Sequence, residues 1–352
     1  MSNITDYDPN FKVKTTLEQD GLRFYDPLQA PFCLHGVYKE DGHFRRMPDD
    51  VAATVNPGVH NMAMHTAGGR VRFRTDSPYV AISTVFGKDL GKMPHFAFTG
   101  AIGYDLYLDN VYYKTFVPPM DVDPNGYESI IPIDGEQRMR EVLIHMPLYT
   151  MVDELYIGLD EHAVVEAPTP YVNDKPVVYY GSSNTQGGCA SRPGMTYQSI
   201  LSRRLNCDHI NLGFSGSAKG EDAMIDYLAG MEMGVFVCAY DQNAPTVEHL
   251  QNTHEKLVCA VRATHPDIPI ILLTHPSMDA RGGERDLRQR VIETTYYNAV
   301  AAGDRNIYYL NSFAMMAMCG NEGTVDGGHP TDLGFFSIAA ALGNLMAANG
   351  IF

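Results

Sequence analysis

Two patterns of apolar and polar positions divide the chain. Up to about residue 160, short runs of alternating or β-branched character recur at 70–73, 79–86, 103–108, 112–117, 141–146 and 155–157. Turn-forming residues separate them, at Asn56-Pro-Gly58, Gly68-Gly69, Pro118-Pro119 and Pro124-Asn-Gly126. A period of two puts successive side chains on opposite faces of a strand, and close spacing without an intervening helical stretch predicts a β-sandwich of the jelly-roll kind. From Lys175 the period changes. Strand-like runs at 177–180, 209–212, 235–240, 268–273 and 307–310 alternate with helical patterns at 196–205, 221–231, 247–264, 285–302, 313–318 and 335–348. That alternation predicts right-handed crossovers onto one parallel sheet, a three-layer α/β sandwich. Pro168 and Pro170 interrupt the chain between the two patterns. The expected organisation is a β-sandwich over 1–160, a linker over 161–174 and an α/β domain over 175–352.

Composition narrows the function classes. Hydrophobic content of 45% and charged content of 19% are those of a soluble globular protein. A formal charge of −16 argues against nucleic acid or an anionic membrane surface as partner, because both require a basic face. A neutral substrate fits better, and a homo-oligomer is compatible with this composition. No run approaches the length of a membrane span, and residues 1–10 carry neither a basic nor an apolar leader region. The six cysteines, at 33, 189, 207, 238, 259 and 319, form no Cys-x-x-Cys pair, which predicts buried reduced thiols in a cytoplasmic protein.

Chemistry concentrates at 176–192. The apolar run 177–180 is cut by Gly181, small polar residues follow, and a helical pattern begins near Met195. A serine at such a turn is pushed out at the carboxyl end of a strand, beside free backbone N–H groups of the next helix. Ser183 is the candidate. Three later stretches join it: Asn211-Leu-Gly-Phe-Ser-Gly216, Tyr240-Asp-Gln-Asn243 and Asp326-Gly-Gly-His329-Pro330. In this order they resemble the four sequence blocks of the SGNH hydrolases, the GDSL-type esterase superfamily. The resemblance covers about half the chain. It implies Ser183 as nucleophile, His329 as the base that takes and returns its proton, and Asp326 as the carboxylate that fixes the imidazole tautomer. It also implies an oxyanion hole of the Ser183 N–H, the Gly216 N–H and the Asn243 side-chain amide. A glycine at 216 would let its N–H approach with no Cβ in the way.

Two departures from the superfamily pattern bear on these roles. The first block reads Gly-Ser-Ser-Asn rather than Gly-Asp-Ser-Leu, so Ser182 and Ser183 compete, and block alignment favours Ser183. The third has Asp241-Gln-Asn243 where the superfamily more often has Gly-x-Asn-Asp.

Gly103-Tyr-Asp-Leu-Tyr107 resembles the Gly-x-Asp-Leu-Tyr motif of a β-sandwich domain that precedes certain SGNH hydrolases. Alternation puts Tyr104 and Leu106 on one face and Asp105 and Tyr107 on the other, and core packing is the expected role. Arg45 and Arg46, beside Phe44, read either as a solvated loop with a local ion pair or as a lid touching substrate. Gln186 and Asp241 are further candidate substrate contacts. His254, His265 and His275 show no second ligand at metal spacing, so no metal is expected. No Gly-x-Gly-x-x-Gly follows a strand, and no cofactor is expected. The resemblance extends to carbohydrate O-acetylesterases. It implies removal of acetyl groups from plant-derived oligosaccharides of mannan or xylan type, with an acetylated oligosaccharide as partner. A lipase-like esterase or acyltransferase is the alternative, followed by a catalytically dead carbohydrate-binding protein.

Overall fold

The computed structural model describes residues 15–87, 90–122, 125–278 and 283–352. The leader reading at 1–10 and the turn at Pro124 lie outside the described residues. In the amino-terminal domain the alternating runs become strands of two antiparallel sheets. One orders Leu22–Tyr25, Val152–Asp160, Tyr79–Phe86 and Tyr127–Pro132. The other orders Val165–Glu166, Arg70–Thr75, Arg140–His145, Tyr104–Leu108 and Val111–Phe116, with Cys33–His35 also on Arg70–Thr75. Register explains the core. Val71, Ile144 and Leu106 lie in one cross-strand row and Phe73, Val142 and Leu108 in the next, all facing Val80 and Ile82 of the opposing sheet.

The expectation of a region without helices is corrected. Asp49–Val55 and Pro57–Met62 are helical, and the Asn56-Pro-Gly58 signal is a helix start rather than a turn. The Asn56 side chain accepts from the Val59 N–H at 2.9 Å, and Pro57 sits at the first helical position, where its missing N–H costs nothing. The stretch expected as linker contributes a strand of its own, Val165–Glu166, to the sandwich.

The carboxy-terminal domain carries a five-stranded parallel sheet in the order Cys207–Gly213, Asn173–Gly181, Val235–Ala239, Ile270–Leu273 and Ile307–Leu310. The strand Asn173–Gly181, second in that order, is apolar on both faces. Val177 and Tyr179 point into a cluster continuous with the sandwich interior, while Val178 and Tyr180 pack into a second cluster under the helices Asp222–Gly230, Val247–Thr264 and Glu284–Ala301. Burial on both sides is why these strands read as near-continuous apolar runs. Among the described residues no helix is long and apolar enough to cross a membrane.

Candidate active site

Strand order dictates where the polar blocks meet. Asn173–Gly181 lies between Cys207–Gly213 and Val235–Ala239, so the loops after all three open at one edge of the sheet. The two serines of the first block separate there. Ser182 is the N-cap of the short helix Ser183–Gln186, its hydroxyl accepting the Asn184 N–H, while Ser183 Oγ lies 2.9 Å from His329 Nε2. His329 Nδ1 lies 2.7 Å from Asp326 Oδ2. A hydroxyl, an imidazole and a carboxylate 146 and 143 residues from Ser183 thus form one hydrogen-bonded chain, suited to moving a proton off an oxygen nucleophile.

The loop that carries His329 is cinched at its base and filled by its own carboxylate. Thr324 bridges Pro330, and the Val325 N–H donates to the His329 carbonyl at 2.9 Å. Asp326 Oδ1 accepts the N–H groups of Gly328 and His329, leaving Oδ2 for the imidazole. Partial burial works to raise the Asp326 carboxyl, but the backbone N–H and imidazole of His329 and the Gly328 N–H outweigh it and bring it down to about 2. Asn184 ties the two blocks together, donating to the Gly328 carbonyl at 3.2 Å. Behind the loop stands His275, pushed down to about 3 chiefly by burial.

Donors surround the serine. Among the described residues neither the Ser183 N–H nor the Gly216 N–H has an intramolecular acceptor. Gly216 sits at φ +65° with nothing within 4 Å of a built Cβ, so the left-handed backbone and not close approach calls for glycine there. The Asn243 amide donates to the Phe214 carbonyl at 2.9 Å, which uses one of its two N–H bonds and leaves the other.

The remaining candidates hold the site's frame. Gln186 is fully buried, its amide on the Leu148 carbonyl and His65 and its oxygen accepting the Ser215 N–H at 2.9 Å, so it pins the turn that presents Gly216. Asp241 is buried and accepts the N–H groups of His275 and Gln242. Arg45 and Arg46 are each 3% exposed, so neither is solvated. Arg45 pairs with Asp49 and Glu40. Arg46 donates to the carbonyls of Asn211, Gly213 and Met62, which ties the sandwich to the end of the second parallel strand. Both guanidinium groups are committed to the fold, and burial pushes Arg46 down to about 9.

The sandwich reaches the site through residues that the sequence did not single out. Tyr149 donates to the Ser183 carbonyl at 3.2 Å, Thr99 donates to the Ser191 carbonyl at 2.6 Å, and the His95 ring centroid lies 5.8 Å from that of His329. His95 and Tyr149 lie in loops and Thr99 in the short helix Phe98–Ala101, none with a partner at a fixed spacing to mark it. A cavity of about 300 Å³, lined by His95, Ala97, Cys189, Ser191, Val325 and Leu333 among others, opens beside the Asp326–His329 loop.

The Gly-x-Asp-Leu-Tyr strand does more than pack. Tyr104 and Leu106 enter the sandwich core as alternation requires, but Asp105 and Tyr107 face the hydrolase domain. Asp105, wholly buried, accepts from Arg192 at 2.8 Å and from the Gly194 N–H at 2.9 Å, and Tyr107 Oη is 2.6 Å from the same guanidinium. Arg192 closes the segment begun by Ser183. Its neighbour Ser191 donates from backbone and hydroxyl to Asp332, at the start of the helix after His329. The motif thereby grips the stretch that joins the serine block to the histidine block.

Comparison with known proteins places this arrangement. Residues 174–347 match the GDSL-like lipase/acylhydrolase family, and residues 22–165 match the Gly-x-Asp-Leu-Tyr N-terminus of SGNH-hydrolase-type esterases. The chain belongs to this family of carboxylic ester hydrolases. The hydrolase shares its fold with a GDSL-like lipase candidate from Bacteroides ovatus at 24% identity and a TM-score of 0.82, covering 93% of this chain and 97% of that one. The salicylyl-acyltransferase SsfX3 of a tetracycline biosynthetic pathway has 18% identity and a TM-score of 0.76 over 95% and 99% of the two chains. An acetyl xylan esterase from the rumen bacterium Butyrivibrio proteoclasticus has 12% identity and a TM-score of 0.63 over 94% and 99%. No curated protein matches the hydrolase in sequence.

Proposed function

We propose that the hydrolase is a serine esterase that removes O-acetyl groups from plant-derived oligosaccharides of mannan or xylan type. The observation that carries this reading is the chain Ser183 Oγ, His329 Nε2, His329 Nδ1, Asp326 Oδ2, with contacts of 2.9 and 2.7 Å. Ser183 Oγ attacks the acyl carbon as its proton passes to His329 Nε2, and Asp326 offsets the imidazolium charge. The Ser183 and Gly216 N–H groups and the second N–H of Asn243 stabilise the tetrahedral oxyanion. Collapse breaks the bond to the sugar oxygen, which takes the proton from His329 Nε2 and leaves as the free hydroxyl. Water then repeats the sequence on the acyl-enzyme and releases acetate.

Three things support a sugar acetate as substrate. Family 2 carbohydrate esterases, one of them in complex with cellohexaose, share the two-domain fold. The cavity beside the Asp326–His329 loop is small and open, which suits a short acyl group better than a fatty chain. The net charge of −16 favours a neutral ligand. Six free cysteines support a reducing compartment, so we place the enzyme in the cytoplasm, acting on imported oligosaccharides.

Transfer of an acyl group to an alcohol other than water is the second reading, favoured by the close fold match to the salicylyl-acyltransferase. One experiment separates the two. Acetylated manno- and xylo-oligosaccharides are incubated with the enzyme and followed by NMR, with and without an acceptor alcohol. Loss of defined acetyl signals as free acetate is the expected result. Acetyl appearing on the acceptor in preference to water supports transfer, and no turnover above Ser183→Ala overturns both.

A further inference from the structure

One cluster of side chains at the mouth of the site has chemistry that ester hydrolysis does not use. His95, on a loop of the sandwich, comes so close to Asp326 and His329 that one ligand atom from each lies within 4.8 Å of the others. Two imidazoles and a carboxylate are a common set for zinc and related transition metals. Ligand bonds of ~2.0–2.2 Å put neighbouring donors ~3.3 Å apart in a tetrahedral site, so the cluster needs to close by at most ~1.5 Å. His95 is exposed and on a loop, free to make that movement, and Asp326 is exposed too, so an ion can arrive directly from solvent. The negative net charge favours its arrival.

From this juxtaposition we infer that His95, Asp326 and His329 form a transition-metal site at which zinc reversibly shuts off the esterase. The consequence for activity rests on the triad assigned above and follows from the proton count of a neutral imidazole, which has one N–H and one lone pair. If the metal takes the lone pair on Nε2, Ser183 loses its acceptor. If it binds Nδ1, the ring's one proton resides on Nε2, and the Ser183 proton again has nowhere to go. Either way the hydroxyl is not activated and the ion's displacement restores it. His95 lies in the sandwich and the other two ligands in the hydrolase domain, so a bound ion would also bridge the domains across the mouth of the site.

The test uses the full-length protein and zinc chloride. Ester turnover is followed as zinc is raised, with EDTA added afterwards and magnesium as the oxygen-preferring control. Zinc binding is measured separately by calorimetry on Ser183→Ala, which has no turnover to confuse the heat. Expected are one zinc per chain, EDTA-reversible inhibition of the wild type, and none by magnesium. In His95→Gln, with each rate normalised to its own metal-free value, zinc binding and inhibition weaken by more than the ~10–100-fold that loss of an outer-shell partner costs. Equal zinc sensitivity in His95→Gln, or no binding to Ser183→Ala, overturns the site. A wild type without esterase activity whose zinc binding still depends on His95 leaves the metal site standing and overturns the catalytic reading instead.

Discussion

The carboxyl edge of the parallel sheet and the outer face of the six-stranded sandwich sheet both collect polar groups, and they do so for different reasons. At the edge, strands end and loops begin, so Ser183, Asn243 and the Asp326–His329 loop present their groups to solvent and substrate. On the sandwich face, Arg70, Asp105, Tyr107 and His145 stand at alternate strand positions that look like a solvated exterior. They are buried against the hydrolase domain. Arg70, with no exposure, donates to Asp208 and to the His209 carbonyl, and Arg203 stacks on Tyr107 at 4.1 Å while reaching His145 at 3.2 Å. On the proposed mechanism the edge uses polarity for chemistry. The face uses it to fix how two domains meet, and that docking sets the position of the chemistry.

The widest gap between the two regions should show in Ser183→Ala. Ester turnover is expected to fall by roughly 10⁴-fold or more, while the unfolding midpoint stays within error, because on the proposed mechanism the hydroxyl serves the reaction and not the fold. Ser182→Ala is expected to retain most of the rate, since that hydroxyl only caps a four-residue helix. The reverse ranking would move the nucleophile to Ser182.

Next comes the domain contact. Asp105→Ala removes one partner of a buried ion pair and leaves the Arg192 guanidinium uncompensated, a change worth about 3–5 kcal/mol of stability. Burial pushes the Asp105 carboxyl up, opposed by Arg192, so the pair costs desolvation that only its position justifies. Because Arg192 leads through Ser191 to Asp332, turnover measured below the melting temperature should fall in kcat with KM little changed. Asp105→Asn combined with Arg192→Met should recover part of the stability without the rate. A variant that melts early but turns over normally would make the motif purely structural.

A third substitution tests the edge again. Asn243→Ala removes both a candidate oxyanion donor and the tether to Phe214, and a drop of about 10²–10³-fold in kcat is expected. Its effect on stability should be smaller than that of Asp105→Ala. If the two variants lose rate and stability in the same proportion, the distinction between edge and face collapses.

How much of this was legible follows the same division. The α/β half could be read closely, helix 247–264 included, because its inner strands are apolar on both faces and strand and helix patterns alternate. Three of the four blocks were visible because each places its group just after a strand, where topology brings groups together without knowledge of packing, whereas the Asp326–His329 block lies beyond the last strand and a short helix and was legible only through its resemblance. Asp105 and Tyr107 were assigned to the correct face, yet alternation specifies a face and not what covers it. Arg46 was misread for that reason too: two arginines beside Phe44 resemble a solvated loop or a lid until Arg46 is known to reach the carbonyls of Asn211 and Gly213. His95, Thr99 and Tyr149 act across a contact between the two domains, and nothing local in the chain records such a contact.

The smallest predicted effect concerns pH and separates the two regions once more. Asp241 is buried at the end of Val235–Ala239, and burial raises its carboxyl from 3.8 to about 6 even though the N–H groups of His275 and Gln242 work against it. Between about pH 4 and 6 the native protein therefore keeps a proton that the unfolded chain has lost. Stability from this group falls as pH rises through that window and the loss is complete above it. His254 and His275, each pushed down to about 3 chiefly by burial, tilt the same window the other way, because the unfolded chain binds their protons first. Asp326, brought down to about 2, acts lower: its contribution is full above about pH 4 and is lost as pH falls through 2. The informative quantity is thus the difference between wild type and Asp241→Asn in denaturant unfolding across about pH 4 to 7. That difference should change steadily between about pH 4 and 6 and level off above, with the variant gaining relative to wild type as pH rises. Parallel stability profiles would mean that Asp241 is ionised in the native protein throughout, and that the backbone donors around it outweigh its burial.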